Sequence, residues 1–142
     1  MDISGRTDLE QAARPVQSRI PIWVVGVWPS EKSMTRILRA DGLLPHVKRD
    51  DQLVDITPED IRNMLGWLRE RGGAHDGFDF VMEGETKPGD QADADAKIGP
   101  LRDAGITWWL ETRWEMPYSS EERLTEVRRR IEAGPPRVEG RG

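Results

Sequence analysis

The run Ile20-Pro21-Ile22-Trp23-Val24-Val25-Gly26-Val27-Trp28-Pro29-Ser30 constrains the fold more than any other segment. Residues pointing either way along it are apolar, which predicts a strand buried on both faces, as in a parallel sheet sandwiched by helices. The stretch breaks at a glycine and a proline, and Glu31-Lys32-Ser33-Met34 opens a helical pattern. A group beyond that break would meet unpaired N–H groups and the positive end of a helix dipole. The turn is therefore a candidate seat for a phosphate or carboxylate.

The pattern then repeats. A helix is predicted over 32–40, with Met34, Ile37 and Leu38 on one side and Gly42 as a left-handed cap or turn. Leu43 and Leu44 predict a very short second strand stopped by Pro45, followed by a polar loop from His46 to Ile56. Thr57-Pro58-Glu59-Asp60 is a helix start: threonine caps, proline suits the first helical position and the acids favour the positive end. That helix runs to about Arg71 on Ile61, Met64, Leu65 and Leu68, and Gly72-Gly73 ends it. Phe78 to Glu83 predicts a third strand, and a third helix follows from Ala92 to Ala104. Pro100 lies inside that helix, where an interior proline costs about 3 kcal/mol, so a kink or split is expected. The fourth strand is Ile106 to Glu111, with Trp108 and Trp109 on opposite faces, so both faces of the sheet should be covered. Ser119 or Ser120 caps a last helix carrying Leu124, Val127 and Ile131, with Glu126 placed to pair with Arg129 or Arg130 and with Arg128-Arg129-Arg130 on the wet face. Gly134-Pro135-Pro136 stops it.

Four strand-helix units predict an α/β fold with parallel crossovers. At 142 residues the chain holds one core: residues 1–14 read as a loose lead-in, 15–134 as the domain and 135–142 as a flexible tail. A net charge of −5 without a basic stripe argues against nucleic acid and anionic membranes as partners. No cysteine is present, which removes disulfides, thiolate nucleophiles and the common structural zinc patterns together. With no long apolar stretch and a polar start, a cytoplasmic protein is expected.

In such sheets ligands bind at the carboxyl ends of the strands. The candidates there are Gly26, Trp28, Ser30 and Ser33 after the first strand, His46 after the second, Glu83 and Glu85 after the third, and Glu111, Arg113 and Trp114 after the fourth. Glu83, Glu85 and Glu111 could form an acid-base cluster, although strand-end glutamates more often pair, for example with Arg113. His75 sits in a glycine-flanked turn and reads as solvated. Trp23, Trp67, Trp108 and Trp109 read as packing residues before they read as a ring stack. A metal set of Glu83, Glu85, Glu111 and His46 has no defined ligand spacing, so no metal is assigned.

The segments Ile20 to Gly26, Asp41-Gly42-Leu43-Leu44-Pro45, Val81-Met82-Glu83-Gly84-Glu85-Thr86 and Ala104 to Glu111 together resemble the luciferase-like flavin-dependent oxidoreductases (luciferase-like monooxygenases), in order as well as in content. The resemblance covers about 15–137. It implies four parallel βα units forming the C-terminal half of a TIM-type (β/α)8 barrel, and FMN or a deazaflavin coenzyme at the barrel mouth. By the same resemblance Gly26, Val27, Trp28, Ser30, Lys32 and Ser33 help hold the cofactor phosphate, while His46, Glu83, Glu85, Glu111 and Trp114 form the pocket rim. Many relatives carry a second glycine after the first, where this chain has Val27 and Trp28. The cofactor performs the redox chemistry, so no side chain is assigned as catalytic. The first four strands of the family have no counterpart here, and open strand edges invite pairing with another chain. The expected partner is a second copy or a separate N-terminal half-barrel. A truncated remnant that keeps the fold without redox activity is the alternative.

Overall fold

The computed structural model describes residue 17 and residues 19–113 and 121–137. The strands are β1 (Trp23–Trp28), β2 (Gly42–Arg49), β3 (Gln52–Val54), β4 (Asp79–Gly84) and β5 (Trp108–Glu111). The helices are α1 (Glu31–Thr35), continued by a 3-10 segment Arg36–Arg39, then α2 (Pro58–Glu70), α3 (Gln91–Ala104) and α4 (Glu121–Glu132). The sheet order is β1-β2-β4-β5, parallel throughout, with β3 hairpinned antiparallel onto β2. The chain is thus a mixed α/β protein, and its parallel strands lie side by side in chain order.

One phase of each strand faces the helices. Val24 and Trp28 of β1, Leu43 and Val47 of β2, Phe80 and Met82 of β4 and Trp109 of β5 pack with Met34, Ile37, Ile61, Met64, Leu68, Ala94, Ile98 and Ala104 in one cluster. α1, α2 and α3 therefore lie on the same face. Sequential strand order with α1, α2 and α3 on one side is what a single winding sense produces. The opposite phase lies outside that cluster: Trp23 and Val25 on β1, Leu44 and His46 on β2, Asp79 and Glu83 on β4, Trp108 on β5.

This one-sidedness corrects two expectations. The first strand is not buried on both faces, for Val25 is 48% exposed and the lead-in residues Ile20 and Ile22 are exposed as well. β1 is an edge, and among the described residues only its Val24/Trp28 face is covered. Trp108 and Trp109 do point apart, yet Trp108 is 48% exposed, so the second face is covered only in part, at Val81 of the neighbouring strand.

Other departures have local causes. β2 runs through Pro45 rather than stopping there. On the side away from β1, β2 pairs with β4 only at Gly42 and Leu43 and with β3 only from Val47, so the proline falls where neither ladder asks for its missing N–H. The expected loop after it contains a hairpin turned by Asp50-Asp51, both at positive φ (50° and 61°), the conformation of a two-residue primed turn. Gly42 opens β2 instead of capping a helix, since a Cβ there would lie 2.6 Å from Trp23 Cδ1 and 2.7 Å from the Asp79 carbonyl. The helix expected over 32–40 keeps one α-helical turn. Thr35 Oγ1 bonds back to the Glu31 carbonyl, and the chain tightens into the 3-10 segment.

α2 begins and ends as its caps dictate: Thr57 and Asp60 form a reciprocal capping box, and Gly72 follows at φ 78°. α3 starts at its N-cap Asp90 and continues unbroken past Pro100, held in the core by Ala94 and Ile98 before the proline and Leu101 and Ala104 around it. α4 differs most. Leu124 and Ile131 are 70% and 72% exposed, whereas Arg130, placed on the wet face by the sequence, is 9% exposed. Glu126 pairs with Arg113 rather than with Arg129 or Arg130. Residues 1–14 of the lead-in, Trp114, the capping candidates Ser119 and Ser120, and the tail beyond Arg137 lie outside the described residues.

Candidate functional site

Because the four main strands are parallel, their carboxyl ends share one rim. The turn after β1 sits on it. Its Trp28–Pro29 peptide is cis. Ser30 caps α1 by accepting the Ser33 N–H at 3.3 Å, and Ser33 Oγ accepts the Val27 N–H at 2.9 Å. Both serine hydroxyls are thus engaged in shaping the turn, and the helix they open is a single turn long. Gly26 leaves no open cradle: a Cβ would meet Leu43 Cδ1 at 2.7 Å, so its smallness serves packing between β1, β2 and the 3-10 segment. Lys32 is exposed, and Val27 and Trp28 are half-buried.

The ends of β4 and β5 carry a denser arrangement. Glu111 accepts the Thr86 N–H at 2.6 Å, Thr86 Oγ1–H at 2.9 Å, the Trp109 indole N–H at 3.1 Å and an Arg130 N–H at 3.1 Å. Burial alone would raise the pKa of this carboxyl, but the bonds from Thr86, Arg130 and Trp109 outweigh it and hold Glu111 below the usual glutamate value. Arg130 also donates to the Gly134 carbonyl at 2.7 Å, which fixes the end of α4 to the rim. Beside this group, Arg113 bridges Glu85 at 2.8 Å and Glu126 at 2.6 Å. Gly84 makes room for the ring of Trp109, as a Cβ there would stand 2.3 Å from Cη2.

Next to the Glu111 group lies a cleft of ≈170 Å³ lined by Thr86, Lys87, Asp90, Gln91, Arg130 and Arg137 among others. The loop forming its floor is pinned by Asp93, which accepts the Lys87 N–H at 2.9 Å and pairs with Lys97 at 3.2 Å. The bond from Lys87 holds the Asp93 carboxyl below its ordinary value. Three cationic residues and the amino-terminal turn of α3 thus border one concavity.

Of the rim residues named from the sequence, the structure brings Glu85 and Glu111 into the paired groups just described. His46 stands exposed on the helix-free phase of β2 and Glu83 half-buried on that of β4. Among the described residues no three carboxylate or histidine side chains gather as a metal site, so the four-residue set of His46, Glu83, Glu85 and Glu111 is not assembled. Sequence reasoning missed Thr86, Lys87 and Arg130. Thr86 and Lys87 could have been found by extending the rim two residues past Glu85; Arg130 carried no such signal.

Comparison of the chain with protein-family models, with curated proteins and with solved structures finds no match. No helix among the described residues is long and apolar enough to cross a membrane.

Proposed function

We propose that this chain is the C-terminal half of a luciferase-like flavin-dependent oxidoreductase, built as half of a (β/α)8 barrel and holding FMN or a deazaflavin coenzyme at its carboxyl-end rim. The observation that carries the reading is the strand order: four parallel strands adjacent in chain order, with α1, α2 and α3 packed on one face. A barrel opened at two seams has that arrangement, with the helix-free phase as its interior; a doubly wound sheet would reverse its order part-way.

The donor set at the rim suits the cofactor's phosphate. The cleft bordered by Lys87, Arg130, Arg137 and the start of α3 offers cationic side chains and backbone N–H groups to an anion. The turn from Gly26 to Ser33 follows the far edge strand and does not line this cleft. When bound, the isoalloxazine or deazaflavin ring supplies the hydride or oxygen chemistry. The chain's own part is to bind and orient. Arg130 stays fixed by Glu111 and Gly134, and Thr86 is held by the same carboxylate, so the cleft wall is preorganised.

The non-catalytic reading, a remnant or partner subunit that keeps the fold, has one observation in its favour. Glu111, the carboxylate at the centre of the rim, is held below the usual glutamate value by its partners, so it is not set up to exchange a proton near neutral pH. Titration of the purified chain with FMN and with the deazaflavin coenzyme, followed by cofactor fluorescence, separates the two. Binding that weakens roughly tenfold in Lys87→Ala supports the cofactor site. No binding of either cofactor overturns it and leaves the non-catalytic reading.

A further inference from the structure

The amino ends of the strands carry a cluster that has no part in the cleft at their opposite ends. Trp23, Gly42, Asp79 and Trp108 are the first residues of β1, β2, β4 and β5. Asp79 accepts the indole N–H of Trp23 at 3.0 Å on one carboxylate oxygen and that of Trp108 at 2.8 Å on the other. Thr107 Oγ1 accepts the Phe80 N–H at 2.9 Å, which turns its own proton toward Asp79 at 3.2 Å. The Trp23 ring reaches Asp79 across β2 because residue 42 is glycine: a Cβ there would lie 2.6 Å from Trp23 Cδ1. The two rings stand 5.4 Å apart, centroid to centroid, inclined at 56°, and Trp108 is left about half exposed.

Three neutral donors satisfy the oxygens of this carboxylate without neutralising its charge. Among the described residues no cationic side chain pairs with Asp79. Arg19, at the same end of the sheet, is taken by Asp41, whose backbone carbonyl receives the Asp79 N–H at 2.8 Å. An uncompensated negative charge therefore stands beside two indole rings, whose faces are negative through their quadrupole, and both features attract a cation. Hydrogen-bonding capacity decides which kind. A carboxylate has about four acceptor positions, so with three donors already in place little is left for the paired hydroxyls of a sugar or for an ammonium bringing three N–H groups. A quaternary ammonium brings no donor and asks only for charge and a π face. We propose that the Trp23–Asp79–Trp108 cluster binds a quaternary ammonium group, seated against the exposed indole of Trp108 beside the Asp79 charge. This site does not depend on the cofactor reading.

Heteronuclear NMR of the nitrogen-15-labelled full chain tests the assignment, with choline as the probe and 3,3-dimethylbutan-1-ol, its uncharged carbon isostere, as the control. The indole N–H signals of Trp23 and Trp108 should move together and saturably with choline, and the isostere should bind at least about tenfold more weakly. Trp108→Leu, a change at an exposed position, should weaken choline binding roughly tenfold with far-UV circular dichroism unchanged, and sodium chloride should weaken it in the wild type. Asp79→Asn should weaken it as well; the comparison of choline with its isostere in the wild type stands whether or not that variant folds. Tighter binding of an N-trimethyllysine tripeptide than of choline assigns the ammonium to a peptide side chain, and the reverse order assigns it to a free cation. Equal binding of the isostere, binding of a methyl glucoside in place of choline, or no response to choline overturns the inference. Failure to bind choline would leave the cofactor reading standing, and failure to bind FMN would leave this site standing.

Discussion

Glu111 and Arg130 form an ion pair whose two halves are not equally replaceable. Their side chains are 18% and 10% exposed. Glu111→Gln removes the charge that four donors converge on. The amide oxygen can keep Thr86 Oγ1, Trp109 and Arg130 as donors, but its NH2 then faces the Thr86 N–H, so one bond is lost outright and the Arg130 bond loses its carboxylate charge. At roughly 1.5 kcal/mol or more apiece, with Arg130 left short of its counter-charge, the cost is about 3 kcal/mol. Arg130→Met leaves Glu111 three of its four donors and keeps an apolar stem of similar shape, but it also loses the bond to the Gly134 carbonyl, so its cost is about 2 kcal/mol. For a domain of this size about 3 kcal/mol lowers the melting temperature by roughly 10 °C. The pH dependence has a definite sign. The folded pKa of Glu111 lies below its unfolded value, so its contribution is complete above the unfolded pKa and is lost as pH falls through the folded one. Urea unfolding followed by tryptophan emission should show a wide gap between wild type and Glu111→Gln at neutral pH that closes in acid. Equal costs for the two substitutions, or a gap that persists once Glu111 is protonated, would refute the reasoning.

Two further substitutions probe positions where the sequence and the structure give different reasons for a residue. Gly26→Ala should cost about 1 kcal/mol by crowding the flexible end of Leu43, while Gly84→Ala, which drives a Cβ into the rigid Trp109 ring, should cost more, about 2 kcal/mol, and shift the tryptophan emission; a neutral Gly84→Ala by thermal denaturation would mean that the ring is not held there. Thr57→Ala removes the side-chain half of the α2 capping box and should cost about 1 kcal/mol in the same assay, with no change in cofactor titration.

What was legible in the sequence was whatever depended on neighbours in the chain. α2 is the plain case: cap, first-turn proline, acids, apolar stripe and terminal glycine all lie within sixteen residues, and every one acts locally. The alternation of strands and helices was legible for the same reason. The extent of β2 was not, because Pro45 is tolerated only through a change of partner strand on one side, from β4 to β3. Nor was the exposure of β1 legible. Alternating apolar residues record what a strand is able to bury, and Val25 meets no helix because none of the described helices crosses to that face.

α4 shows the same limit from the opposite direction, and it bears on the site. Its Leu124, Val127 and Ile131 recur at helical spacing and predict an inward stripe, but the wall that α4 meets is a strand-end rim, not hydrocarbon. There Glu111 presents a carboxylate, and Arg130 is the α4 side chain that donates to it, its other donor closing the end of α4 on the Gly134 carbonyl. A leucine turned inward would gain apolar contact and leave the buried carboxylate one charged partner short, a loss at least as large as burying the leucine would return. The helix therefore turns on its axis to place the arginine inside. Periodicity fixes which residues share a face of a helix, while the chemistry of the opposing surface decides which face goes in. At the carboxyl end of this parallel sheet that surface is polar, and it is there that Arg130 comes to line the cleft beside Thr86 and Lys87.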